Sequence, residues 1–165
     1  MKFSKMTTLM MAAGLSAVVA LAGCGGSGGA KQQYLNIGTG GTAGTYYPLG
    51  GAMAELFNKN IANVNASAQS TGASVANVNM LKDGSLDLAL IQNDIAYYAA
   101  NGLEMFDGKK VDNLRGIATL YPETVQIVAL EKSGIKSIND LRGKRVAVGA
   151  AGSGTEANAR QILNA

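Results

Sequence analysis

The sequence predicts an α/β fold, a mainly parallel sheet covered by helices on both faces, laid out as one lobe and the beginning of a second. Three observations carry this. Apolar runs with strand character alternate with segments of helical periodicity. Several of these strands end in turns rich in Gly, Ser and Thr that open directly into helices. The alternation is broken once, at Tyr121-Pro122-Glu123, where we place a crossover between lobes. Of the 165 residues, 47% are hydrophobic and 15% charged, the balance of a globular body with a core rather than of a disordered tail.

Composition also excludes whole classes of chemistry. The chain has no histidine and one cysteine. It can build no Cys/His zinc cage, no Ser-His-Asp or Cys-His machinery and no internal disulfide. No metal is therefore expected. We also expect no cofactor and no enzymatic activity. Net charge is +3 from 14 basic and 11 acidic residues, and two of the lysines, Lys2 and Lys5, fall in a segment expected to be removed. The near-neutral remainder offers no electrostatic footprint for nucleic acid.

Residues 1–23 read as an export signal. Lys2 and Lys5 precede an uncharged run from Leu9 to Ala22, shorter than the roughly 20 apolar residues of a membrane span and matched to a signal-peptide core. The run ends in Leu21-Ala22-Gly23-Cys24. Small residues before the sole cysteine resemble a bacterial lipobox, which implies lipidation of Cys24 and an anchor in the cell membrane. Residues 24–33, opening with Gly25-Gly26-Ser27-Gly28-Gly29, form a flexible tether.

Residues 34–121 make the expected first lobe. A strand at Leu35–Ile37 is followed by a glycine-rich turn and a helix with Pro48 in its first position and a stripe of Leu49, Ala52, Met53, Leu56 and Phe57. A second strand at Val64–Gln69 leads to a helix opened by Ser70–Ser74 and stopped by Gly84. A third strand at Leu86–Ile91 leads through Gln92-Asn93-Asp94 into a helix ending by Gly102, and Ile117–Tyr121 reads as a fourth strand. Residues 122–165 begin the second lobe, with strands at Thr124–Leu130 and Arg145–Val148. Ser137 and Asp140 bracket a short capped helix, and a last helix starts near Glu156. About 40 residues cannot close a lobe of similar size, so a truncated chain is expected, its last helix leaving an apolar face uncovered.

The glycine-rich turns are the candidate binding elements. A helix N-terminus presents unpaired N–H groups and a partial positive charge, and glycines let an anion approach the backbone. In open α/β sheets such turns gather at the carboxyl ends of the strands, where ligands bind. One helix end contributes ~0.3–2 kcal/mol toward an anion, while micromolar affinity needs about 8 kcal/mol, so several turns must converge. The candidate ligand-binding residues are Thr45, Tyr46, Tyr47, Ser74, Asn77, Gln92, Ser153, Gly154 and Thr155. Tyr97 and Tyr98 are read as packing residues. A competing motif, Gly38-Thr39-Gly40-Gly41-Thr42-Ala43, fits a loose dinucleotide fingerprint, but Gln69 stands where a ribose-binding acid is needed.

Gly38–Gly50, with its Gly-Thr-Gly-Gly-Thr-Ala-Gly-Thr-Tyr-Tyr-Pro-Leu-Gly run, resembles the opening signature of TAXI-type receptors, the solute-binding subunits of tripartite ATP-independent periplasmic (TRAP) transporters. Ser70–Asn77, Leu86–Asp94 and Ser137–Thr155 are similar to later segments of the same family in order and spacing. The resemblance implies a type II periplasmic-binding-protein fold of two lobes, here with the second incomplete. It implies capture of a small organic anion, a glutamate-like amino acid or a dicarboxylate, for a TRAP membrane permease, by a lipoprotein outside the cytoplasm. A dinucleotide-dependent enzyme and a membrane-anchored sensor or adhesive lipoprotein are the rival readings.

Overall fold

A computed structural model describes residues 31–165. Cys24, the preceding signal and most of the tether lie outside the described residues. Strand β1 (Gln33–Gly38) pairs in parallel with β2 (Val64–Gln69) on one side and with the short β3 (Leu88–Ala89) on the other, giving the order β2-β1-β3. Helix α1 (Tyr46–Asn60) joins β1 to β2, and α2 (Ser74–Lys82) carries the chain back past β1 to β3. Helix α3 (Asn93–Asn101) follows β3. Two connections leading to opposite sides of β1 make the carboxyl end of β1 the switch point of the sheet.

The two faces follow from the strand period. Leu35 and Ile37 point toward α1, where Ile37, Ala54 and Ala66 form a core with Met53, Phe57 and Val64 around it. Asn36 and Gly38 point the other way. A Cβ on Gly38 would overlap Leu86 and reach Asn77 of α2, so this glycine lets α2 lie close on the second face. A separate core gathers Val78, Ile95, Ala99, Phe106 and Val111, with Ala157 of α4 (Gly154–Asn164).

Several expectations need correction. Helix α1 begins at Tyr46, two residues before Pro48, whose missing N–H falls among the unpaired groups of the first turn. Its buried stripe runs through Gly50 and Ala54 rather than Leu49 and Ala52, and Leu56 is exposed. The shift follows from Gly50, whose absent side chain admits Thr39, Ile37 and Ala68 against the helix backbone. The third strand shrinks to Leu88–Ala89, although Asp87 and Leu90 still donate backbone hydrogen bonds to Asn36 and Gly38.

Ile117–Tyr121, Thr124–Leu130 and Arg145–Val148 are not strands. A strand exists only by pairing, and among the described residues none of these three pairs with another segment. Ile117 and Val128 are accordingly 81% and 89% exposed. The capped segment after Ser137 does form, as a 3-10 turn at Ile138–Leu141 with Ser137 and Asp140 capping each other's backbone and Gly143 at φ +74° beyond it. The last helix starts at Gly154, and its apolar face is covered in part: Ala157 enters the core around Val78 and Ile95, while Ile162 and Leu163 face the open cleft and Leu163 stays 40% exposed.

Adjacent glycines in α1 make a paired test. A methyl at Gly51 meets nothing within 4 Å, whereas one at Gly50 overlaps Thr39. Gly51→Ala is expected to stabilise by about 0.5–1 kcal/mol through helix propensity. Gly50→Ala is expected to destabilise by about 1–3 kcal/mol through overpacking. Urea unfolding of the two variants checks both signs.

Candidate functional site

The strand ends are fastened by buried polar groups. Asn77 is fully buried on α2, and its Nδ2 donates to the carbonyls of Thr39 (2.8 Å) and Leu90 (2.9 Å). Its Oδ1 accepts from the Thr71 hydroxyl at 2.6 Å. One amide thereby joins the exits of β1, β2 and β3. Thr39, also fully buried, donates its hydroxyl to the carbonyl of Gln69 at 2.7 Å. Ala73 precedes α2 at φ 72°, ψ −146°, a backbone region that costs a residue with a Cβ about 1–3 kcal/mol.

Beyond these strand ends lies an open cleft of about 880 Å³. The N-terminal turns of four helices border it: Thr45 and Tyr46 at α1, Ala73 and Ser74 at α2, Gln92 ahead of α3, and Gly154 and Thr155 at α4. Its other wall is the unpaired chain from Tyr121 to Leu130 with Arg145–Val148. Of the expected site residues, the cleft brings together Thr45, Tyr46, Ser74, Gln92, Gly154 and Thr155.

Tyr47, Asn77 and Ser153 do not line it. Asn77 has its hydrogen-bonding capacity committed to the strand ends and is a structural strut. Ser153 is the N-cap of α4, its hydroxyl accepting from the Glu156 N–H at 3.0 Å. Glu156 in turn accepts from the Gly152 N–H at 2.8 Å and from Arg160, and these bonds, with Arg160 first, hold its carboxyl below the usual range. Tyr98 packs against the core while Tyr97 is 60% exposed.

The first-turn amides of α2 are not unpaired, as the turn chemistry suggested. Val75 and Ala76 donate to the carbonyl of Gly152 at 3.0 and 3.1 Å. This contact and a side-chain chain register α4 against the first half of the fold. Gln92 donates to Asn158 (2.7 Å), and Asn158 donates to Asp94 (2.6 Å). At the start of α4, the Gly154 and Thr155 amides find no acceptor among the described residues.

Three cleft residues were not among the candidates. The Tyr46 hydroxyl donates to Glu123 Oε2 and the Tyr121 hydroxyl to Glu123 Oε1, both at 3.0 Å. Burial, then the Glu123 charge, pushes the Tyr46 phenol above its ordinary value, and burial with the Glu123 hydrogen bond pushes Tyr121 to about 12. Both phenols are therefore neutral donors at physiological pH. Arg145 is the third, and with Glu123 it supplies the charged side chains of the lining among the described residues. From the sequence alone Tyr121-Pro122-Glu123 reads as a crossover between lobes. The available signal was an acid set between a proline and an otherwise apolar stretch.

The loose dinucleotide motif gains no partner from the fold. Gln69 turns back onto the sheet, donating to Asn36 (3.2 Å) and Ser67 (2.9 Å). Among the described residues no three His, Cys, Asp or Glu side chains gather as a metal site, and no helix is long and apolar enough to cross a membrane.

A parallel sheet with a cleft at its carboxyl ends, bordered by helix N-termini, is the layout of an α/β protein that binds small solutes. Comparison with protein families agrees: residues 37–165 match the model of the NMT1-like family. The chain belongs to that family, which comprises periplasmic solute-binding proteins, substrate-binding rather than enzymatic as a rule and typically extracytoplasmic.

The strut role of Asn77 is testable. Asn77→Ala removes three hydrogen bonds, two of them fully buried, and leaves the Leu90 carbonyl without that partner. Loss of about 3 kcal/mol is expected, measured by urea unfolding. Thr155→Ala, at an exposed cleft position, is expected to leave stability within about 0.5 kcal/mol of wild type in the same assay.

Proposed function

We propose that this protein captures a small organic anion, a glutamate-like amino acid or a dicarboxylate, and delivers it to the membrane permease of a TRAP transporter. The observation that carries the reading is the meeting of four helix N-terminal turns around one cleft. No single helix end suffices for micromolar binding, so the open ends must act together with hydroxyl donors and Arg145. Membership of a solute-binding family supports the general role. The resemblance of Gly38–Gly50 to TAXI receptors supports the transporter class.

In this reading residues 34–121 are the first lobe and 122–165 the start of the second, the cleft lying between the segments they contribute. Thr45, Tyr46, Ser74, Gln92, Gly154 and Thr155 contact the solute. Cys24 carries a lipid that holds the protein at the outer face of a membrane, beside its permease.

Calorimetric titration of the chain with L-glutamate and with succinate tests the binding role. Micromolar binding of one of them is expected, weakened about tenfold or more in Thr155→Ala, the effect of losing a hydrogen bond to a charged group. Unchanged affinity in that variant would move the site elsewhere. Fatty-acid labelling in cells tests the anchor: labelling is expected in wild type and lost in Cys24→Ser, and equal labelling of both would exclude it.

A further inference from the structure

We infer that Glu123 is the counter-ion for a protonated amine on the bound solute, so that the cleft selects amino acids over matching acids that lack the amine. This rests on the reading of the cleft as a small-organic-anion site and decides between the two ligand classes named there.

The argument starts from charge. Glu123 and Arg145 are the charged side chains of the lining among the described residues. Among those residues no lysine or arginine forms an ion pair with Glu123; the ion pairs present are Lys59–Glu55, Lys110–Asp112 and Arg160–Glu156. Its two partners are phenols, one on each carboxylate oxygen. A phenol orients a carboxylate without neutralising it, and each oxygen keeps a lone pair for a further donor. The Tyr46 and Tyr121 hydroxyls thus hold a negative charge in a fixed direction at the cleft wall.

A site meant only for dicarboxylates gains nothing from such a group, since like charges at close range disfavour each other. A zwitterion matches the layout. Its carboxylate is served by Arg145 and the helix N-termini, and its ammonium, with three donors, meets the open lone pairs of Glu123.

The test uses three pairs of probes that differ by the amine: L-glutamate and glutarate, L-alanine and propionate, L-leucine and 4-methylpentanoate. Each is titrated calorimetrically into the full chain. The expected result is that, in any pair that binds, the amino acid binds at least tenfold more tightly. Glu123→Gln is expected to bring that ratio close to one, and Glu123→Lys to reverse it, with melting temperatures near that of wild type because the side chain is exposed. Equal affinities within a binding pair in the wild-type protein would overturn the inference whatever the variants do. So would a preference that survives Glu123→Gln. Absence of binding by all six probes would instead overturn the small-organic-anion reading on which the inference stands.

Discussion

The buried amide of Asn77 is the constraint on which the cleft depends. Parallel strands end where their hydrogen-bond ladder ends, and the carbonyls just beyond need partners of their own. Asn77 meets that need at Thr39 and Leu90 and also engages Thr71. Because α2 bears this residue, the helix cannot slide along the sheet without breaking bonds at two strand exits. The N-terminal turn of α2 is therefore held in place relative to β1 and β3, and a geometry built on helix ends becomes reproducible. Every buried side-chain nitrogen or oxygen among the described residues has a partner, which is what allows so polar a junction inside the fold.

Missing side chains matter as much as present ones. Gly38, the last residue of β1, makes room for α2 on one face, and Gly50 within α1 lets that helix approach the other. Each helix comes nearer the sheet than a Cβ would permit. Thr39 sits between these approaches with its hydroxyl on Gln69. The glycine-rich turn is thus a packing device first, and the cleft beyond it is a result of helices brought in close.

Sequence patterns revealed whatever depends on near neighbours. Val64–Gln69 is a strand with the bounds its residues suggest, Gly102 ends α3 in the left-handed conformation, and the reciprocal cap of Ser137 and Asp140 forms. Pairing between distant segments is a different matter. Val125, Ile127 and Val128 have the residue types of a strand, yet no neighbour among the described residues completes one. Asn77 looked like a ligand contact because its position one turn into a helix at a strand exit suits both roles, and only the three-dimensional meeting of Thr39, Thr71 and Leu90 separates them. Glu123 was legible as an acid but not as a cleft residue, since its partner Tyr46 is 77 residues away.

The carbonyl of Gly152 on the first-turn amides of α2 changes what affinity means at that turn. An oxygen with partial negative charge already occupies the positive end of the helix. An incoming anion would not meet a bare electrostatic well but a competitor belonging to the same chain. Its gain there would be the difference between two acceptors, a free carboxylate and a peptide oxygen tethered a few residues before α4. Gly149 and Gly152, at φ +104° and +79°, give the stretch before α4 a backbone path that residues with a Cβ rarely adopt.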